Sequence, residues 1–122
     1  QVAMRAACRD ALMACEDAMR PGATLGTVFD AHAEVLDANG YADHRLNACG
    51  YGMGAVYAPI WVDWPMLYHG NPLVFEANQV YFLHMILLNL STHQAMTLGH
   101  SVLVTDTGVE RLSRSSLDLV IN

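Results

Sequence analysis

The sequence predicts an α+β fold: two N-terminal helices followed by a mostly antiparallel sheet. Three observations carry this. Apolar residues in the first 38 positions recur at steps of three and four, the helical period. After Tyr41 that period vanishes, and apolar runs bounded by turn residues replace it. The 122 residues suit one domain spanning 1–122 and leave little room for two.

Residues 2–19 read as the first helix, with Met4, Cys8, Leu12, Cys15 and Met19 on one stripe and Pro21-Gly22 as the stop. Glu16 and Arg20 stand four apart in the favourable order for an ion pair along it. The second helix covers 25–38. Thr24 is its N-cap, Leu25, Val28, Phe29, His32 and Leu36 form its apolar stripe, and Asn39-Gly40 ends it.

In the second half, Gly50, Gly52 and Gly54 alternate with larger residues over 49–58. Alternate glycines in a strand mark close approach of another backbone. Residues 59–75 hold three of the four prolines and both tryptophans and read as an ordered, irregular excursion. Residues 79–88 read as a strand buried on both faces, because both alternating sets are apolar. Asn89 to His93 turn the chain, 95–105 form the next strand, Asp106-Thr107-Gly108 is a tight turn, and Val109 to Leu112 return.

Composition excludes several chemistries. All six basic residues are Arg, so lysine Schiff bases and lysine phosphate anchors are out. A net charge of −6 argues against nucleic-acid binding, which needs a basic face. Only 15% of residues are charged against 53% hydrophobic, where soluble domains carry about 25% charged. Such a chain buries a face against something or belongs to something larger. No apolar run is long enough to span a bilayer. No signal peptide is visible and the first residue is Gln, so the sequence reads as starting inside an open reading frame or after a removed tag. Cys8, Cys15 and Cys49 read as small buried hydrophobes in a reducing, cytoplasmic setting.

Few residues offer reactive chemistry. A hairpin centred near Thr92 puts His84 opposite His100 and Met85 opposite Gly99. Two imidazoles so placed would suit a metal or a shared proton. The plainer reading prevails: His84 as a hydrogen-bonded core histidine, and His100 facing polar surroundings. Tyr57, Trp61, Trp64 and Tyr68 line a pocket or fill a satellite core, and Tyr51 points into a cleft or is a half-buried strand residue. The glycine stretch lacks the lysine and helix N-terminus of a phosphate cradle. No nucleophile elbow exists, a Cys49–His pair is a remote option, and Glu76 and Asp63 read as solvated turn residues before general bases. No catalytic residue is assigned. The candidate pocket is Tyr51, Tyr57, Trp61, Trp64, His84 and His100, with no metal.

Taken in order, several pieces resemble one family. They are Gly50-Tyr-Gly-Met-Gly54, then Tyr57-Ala-Pro-Ile-Trp61, then Gly70-Asn-Pro-Leu-Val-Phe-Glu-Ala-Asn-Gln-Val-Tyr-Phe82, and finally Gly99-His-Ser-Val-Leu-Val-Thr-Asp-Thr-Gly-Val-Glu-Arg-Leu112. Together they resemble the C-terminal half of the pita-bread superfamily of creatinase, aminopeptidase P, Xaa-Pro dipeptidase and methionine aminopeptidase. The Tyr57, Pro59, Trp61 pattern is nearest the Xaa-Pro-dipeptidase-like branch with ectoine hydrolases and a sulfoniopropionate lyase. The resemblance implies half of a pita-bread domain with a curved sheet.

It also implies a metallopeptidase chemistry that the matching positions do not supply. Metal-dependent members hold two divalent ions through two Asp, one His and two Glu, and the two Asp lie on the half that precedes this match. The family His matches Tyr51, and a second His matches Ala58. The first Glu falls where this sequence offers Met85 or Ile86, and the second matches Gly99. On this reading Met85 faces Gly99, while His84 and His100 share the other face. A creatinase-like route without metal uses a His and glutamates at the same positions and fails equally. The expectation is therefore a divergent homologue without cofactors, inactive alone as a peptidase. The alternative is a ligand-binding or assembly subunit. Either form is a homodimer or pairs with a complementary half-domain through the face of the missing half, with no nucleic-acid or membrane partner.

Overall fold

Two α-helices pack together, and the first lies across one face of a four-stranded antiparallel sheet, in a computed structural model, which describes residues 1–54, 62 and 64–119. The elements are α1 (Val2–Ala18), α2 (Leu25–Ala38), β1 (Gly50–Gly52), β2 (Val80–Asn89), β3 (Gln94–Val104) and β4 (Val109–Arg111), and the strands lie in chain order across the sheet. Each element expected from the periodicities is present.

The core forms between the helices and the inward set of strand residues. Met4, Cys8, Leu12 and Cys15 of α1 and Leu25, Val28, Phe29 and Leu36 of α2 are buried against Tyr81, Leu83, Met85 and Leu87 of β2 and Val102 and Val104 of β3. Each large side chain so covered contributes roughly 1.5–3 kcal/mol. The Thr24 side chain accepts from the Thr27 amide at 3.1 Å and caps α2, worth about 1 kcal/mol. Gly26 lets α2 approach the excursion: a Cβ there would stand 2.9 Å from the Asn71 amide nitrogen. Buried Asn71 holds that excursion in shape, donating to the Met66 carbonyl at 2.7 Å and accepting from the Leu73 amide at 3.1 Å. At Gly50 a Cβ would meet the Phe82 carbonyl oxygen at 2.6 Å, the close backbone approach that alternate glycines imply. All three cysteines are free and buried, and burial pushes the Cys8 thiol up to about 11.

Three expectations need correction. Glu16 does not pair with Arg20, because α1 ends at Ala18 and Glu16 turns toward the sheet, where Arg111 holds it. Among the described residues, a helix covers the strand at 80–89 on one face only. Tyr81, Leu83, Met85 and Leu87 are buried, while Val80, Phe82, His84 and Ile86 are half-buried and Leu88 is exposed. Its outward set is apolar, yet among the described residues no layer lies over it. The β2–β3 register also differs by one residue: His84 pairs with Gly99, Leu83 with His100 and Met85 with Leu98. The loop contains an even number of residues, 90–93. Asn89 Oδ1 accepts from the Ser91 hydroxyl at 2.7 Å and the Thr92 amide at 3.1 Å, and His93 takes φ +52°. The hairpin axis therefore falls between residues 91 and 92, and a shift of one moves every side chain's partner.

Candidate functional site

On a strand, alternate residues share a face. The corrected register therefore puts Tyr51, Phe82, His84, Ile86, Thr97, Gly99 and Ser101 together on the open face of the sheet. Three rings form a row along it. Tyr51 lies 5.6 Å from Phe82, and Phe82 meets His84 edge-on at 5.1 Å between centroids. His84 Nε2 and the Thr97 hydroxyl are hydrogen-bonded at 2.8 Å. Burial lowers the His84 pKa from its ordinary value, which favours the neutral ring at pH 7.

Gly99 carries the chemical contrast. A Cβ there would come within 2.6 Å of Phe82 Cζ and 2.7 Å of the Leu83 carbonyl oxygen. The Phe82 ring thus occupies the space into which a side chain at 99 would project. Three neighbouring depressions of about 310, 220 and 350 Å³ run across this face. The first is lined by Tyr51, Met53 and Phe82, the second by Tyr51, Met66 and His84, and the third by His84, Met96 and Thr97, among others. None of the described residues lining them is charged.

The opposite face carries a separate polar cluster. His100 Nδ1 lies 2.9 Å from Glu16 Oε1, and Arg111 donates to both Glu16 oxygens at 3.1 and 2.5 Å. Burial by itself raises the Glu16 pKa, but the hydrogen bonds from Arg111 and His100 outweigh it and hold the carboxyl below its usual range. His100 Nε2 is buried with no partner among the described residues.

The expected pocket is therefore divided. Tyr51 and His84 do line one depression. His100 does not join them: it sits beneath α1, 1% exposed, where polar surroundings come from Glu16. The His84–His100 pair is not formed, because residues one out of register point to opposite faces. Nor is His84 a core residue, although it is hydrogen-bonded. Trp64 is 64% exposed, with its backbone carbonyl oxygen against Gly52. Tyr68 lines a different depression beside α2, with Arg45 and His69. Tyr57, Ala58, Pro59, Trp61 and Asp63 lie outside the described residues. Cys49 and His84 touch through backbone, the His84 amide donating to the Cys49 carbonyl at 2.8 Å. The Cys49 thiol, fully buried and close to Cys15, is driven well above its ordinary pKa chiefly by burial. It is packing material rather than a nucleophile. Phe82 and Thr97 escaped the sequence reading. Period-two counting from His84 places Phe82 beside it, but Thr97 needs the correct register.

The sequence profile of metallopeptidase family M24 matches residues 1–106. The chain belongs to metallopeptidase family M24. No curated protein matches it significantly by sequence. Among solved structures, this M24 chain resembles the dipeptidase PepE from Mycobacterium ulcerans at 24% identity and TM-score 0.84, covering 95% of this chain and 30% of that one. It resembles prolidase from Pyrococcus furiosus at 20% identity and TM-score 0.85, covering 95% and 33%. The Xaa-Pro dipeptidase from Bacillus anthracis aligns at 16% identity and TM-score 0.87, covering 98% and 32%. The M24 chain thus has the fold expected of half a pita-bread domain, and it spans about a third of the length of these structures. Among its described residues, no three of His, Cys, Asp and Glu stand together as metal donors, and no helix is long and apolar enough to cross a membrane. The register also corrects the family comparison. If Gly99 stands at the second glutamate position, the residue facing it is His84, and Met85 points into the core.

Proposed function

We propose that this chain is a divergent M24 homologue without the paired-metal site, inactive by itself on Xaa-Pro dipeptides, whose open sheet face binds a ligand. One observation carries the reading: Gly99 faces His84 beneath the Phe82 ring, which fills the space an acidic side chain at 99 needs. Two divalent ions held together require anionic oxygen donors to balance their charge and to acidify a bridging water. A neutral imidazole, a threonine hydroxyl and a phenol do not fit that demand. No step of metal-assisted hydrolysis is therefore assigned to this chain, and no cofactor. Incubation with Xaa-Pro dipeptides and Mn²⁺ or Co²⁺ should give no turnover. Metal-dependent release of proline would overturn the reading.

A second reading is favoured by the uncovered apolar face itself. Phe82 and Ile86 are half-buried and Leu88 is 41% exposed on a sheet face that no helix or strand covers among the described residues. Apolar surface of this kind marks an interaction site, so an assembly subunit that pairs with its own copy or with a complementary half-domain is the alternative. A monodisperse monomer in sedimentation at micromolar concentration removes it. The net charge of −6 supports partners other than nucleic acid, and the free buried cysteines suit a reducing, cytoplasmic setting.

A further inference from the structure

We propose that the ligand of the open face is an uncharged, largely aromatic small molecule carrying one hydrogen-bonding group, a phenol being the simplest case, seated against Tyr51, Phe82 and Ile86 with that group on His84 Nδ1. The inference rests on the ligand-binding reading above and names the ligand's chemical class.

The lining decides the charge. Across three contiguous depressions the described lining offers aromatic, aliphatic and thioether groups, two hydroxyls from Thr97 and Ser101, the Tyr51 phenol and one imidazole. An ammonium or carboxylate brought onto such a surface loses water and meets no countercharge among the described lining residues. A zwitterionic dipeptide would meet that cost at both ends. An uncharged ring meets none of it. The depressions, at 220–350 Å³ each, straddle the lower bound of about 300 Å³ for small-molecule sites.

The ring row sets shape. Tyr51, Phe82 and His84 stand at 5.6 and 5.1 Å in tilted and edge-on contact, the spacing aromatic groups adopt. The Phe82 ring already fills the space over Gly99, so a further ring extends the row on its solvent side.

One polar atom sets orientation. His84 Nε2 is committed to Thr97 Oγ1 at 2.8 Å, and Nδ1 has no hydrogen-bond partner among the described residues. When Nε2 donates to Thr97, Nδ1 is an acceptor ready for a ligand hydroxyl. Thr97 is then a positioning residue that fixes tautomer and ring angle without touching the ligand. The lowered basicity of His84 agrees with this, since the ring stays a neutral acceptor.

The test titrates the full chain, in EDTA at pH 7.5, with 4-methylphenol and separately with 4-methylbenzoate, read by calorimetry and by the His84 ring resonances. The phenol should bind at one site, shift those resonances, and bind at least about tenfold more tightly than the carboxylate. His84→Ala should weaken phenol binding about tenfold, with His84→Gln recovering part of it and Thr97→Val lowering affinity without altering the fold's circular dichroism. Equal or tighter binding of the benzoate, no binding of the phenol, or unchanged affinity in His84→Ala overturns the proposal. So does a dimer that admits the phenol only on dissociation, since a second copy then covers the face. A parallel Mn²⁺ titration without EDTA separates the two levels. Stoichiometric metal overturns the metal-free reading beneath, whereas neither metal nor phenol binding overturns only the ligand class.

Discussion

His32 gives the most direct quantitative test of the packing. It is 1% exposed in the stripe of α2, its Nδ1 has no partner among the described residues, and its ring lies 5.3 Å from Phe29. Burial, with help from the nearby Arg45 charge, lowers its pKa from 6.5 to about 4. The sign follows. The unfolded chain takes a proton on this ring as pH falls below 6.5, and the folded chain resists until about 4. Stability is therefore complete above 6.5 and drains away as pH drops toward 4. One unit is about 1.4 kcal/mol, so the loss reaches roughly 2 kcal/mol at pH 5, before carboxylates enter the balance. His32→Leu nearly conserves volume and removes both the titration and the orphaned nitrogen. It should match the parent within about 1 kcal/mol at pH 7.5. Urea unfolding of both proteins at pH 7.5, 6 and 5 measures the difference directly. The parent should lose about 2 kcal/mol more than the variant by pH 5. Parallel pH curves for the two proteins would refute the assignment of a buried, neutral His32.

Other outcomes follow from the same structure. Glu16→Gln should cost roughly 1.5–4 kcal/mol at pH 7, since the buried His100 bond is worth about 1.5–3 and the half-exposed Arg111 bond about 1 or less. Because the Glu16 pKa is held below its ordinary 4.5, this contribution is present above that value and disappears as pH falls through the lowered one, so the variant's deficit in denaturant midpoint should shrink as pH is taken below 4.5. Gly26→Ala should lower stability by about 1–3 kcal/mol in thermal unfolding, because the new Cβ meets backbone atoms of residues 70 and 71. Gly99→Ala should cost a similar amount even with Phe82→Ala beside it, because the Leu83 carbonyl oxygen, 2.7 Å from the new Cβ, remains.

The helices were legible because their signals are local. Thr24 caps, Gly40 takes φ +80°, and both apolar stripes face the core. The strands were legible as segments but not as a sheet. Apolar residues alternate with other apolar residues in β2, so pattern alone could not tell that only the odd-numbered set has a helix over it. Register hung on whether the hairpin loop holds an odd or even number of residues, and the Asn89 side chain that settles this is one residue in a polar run. That single step separated His84 from His100 and put His84 opposite Gly99. The Glu16 partnership was out of reach for a different reason: its partners stand 84 and 95 residues away. The family likeness was readable from sequence because it rests on short local runs, Gly50 to Gly54, Gly70 to Phe82 and Gly99 to Leu112, that need no tertiary partner to be seen.

Those long separations bear on how the chain acquires its structure. Glu16 cannot meet Arg111 until the hairpin has formed and α1 has docked across it, and Arg5 Nε reaches the Leu117 carbonyl, at 2.9 Å, under the same condition. Loops of such length close at appreciable entropic cost, so both links belong to the last step of folding. Interactions made after the rate-limiting barrier act on unfolding alone. The polar cluster thus works as a latch: without it the molecule should fold as fast as before and come apart sooner.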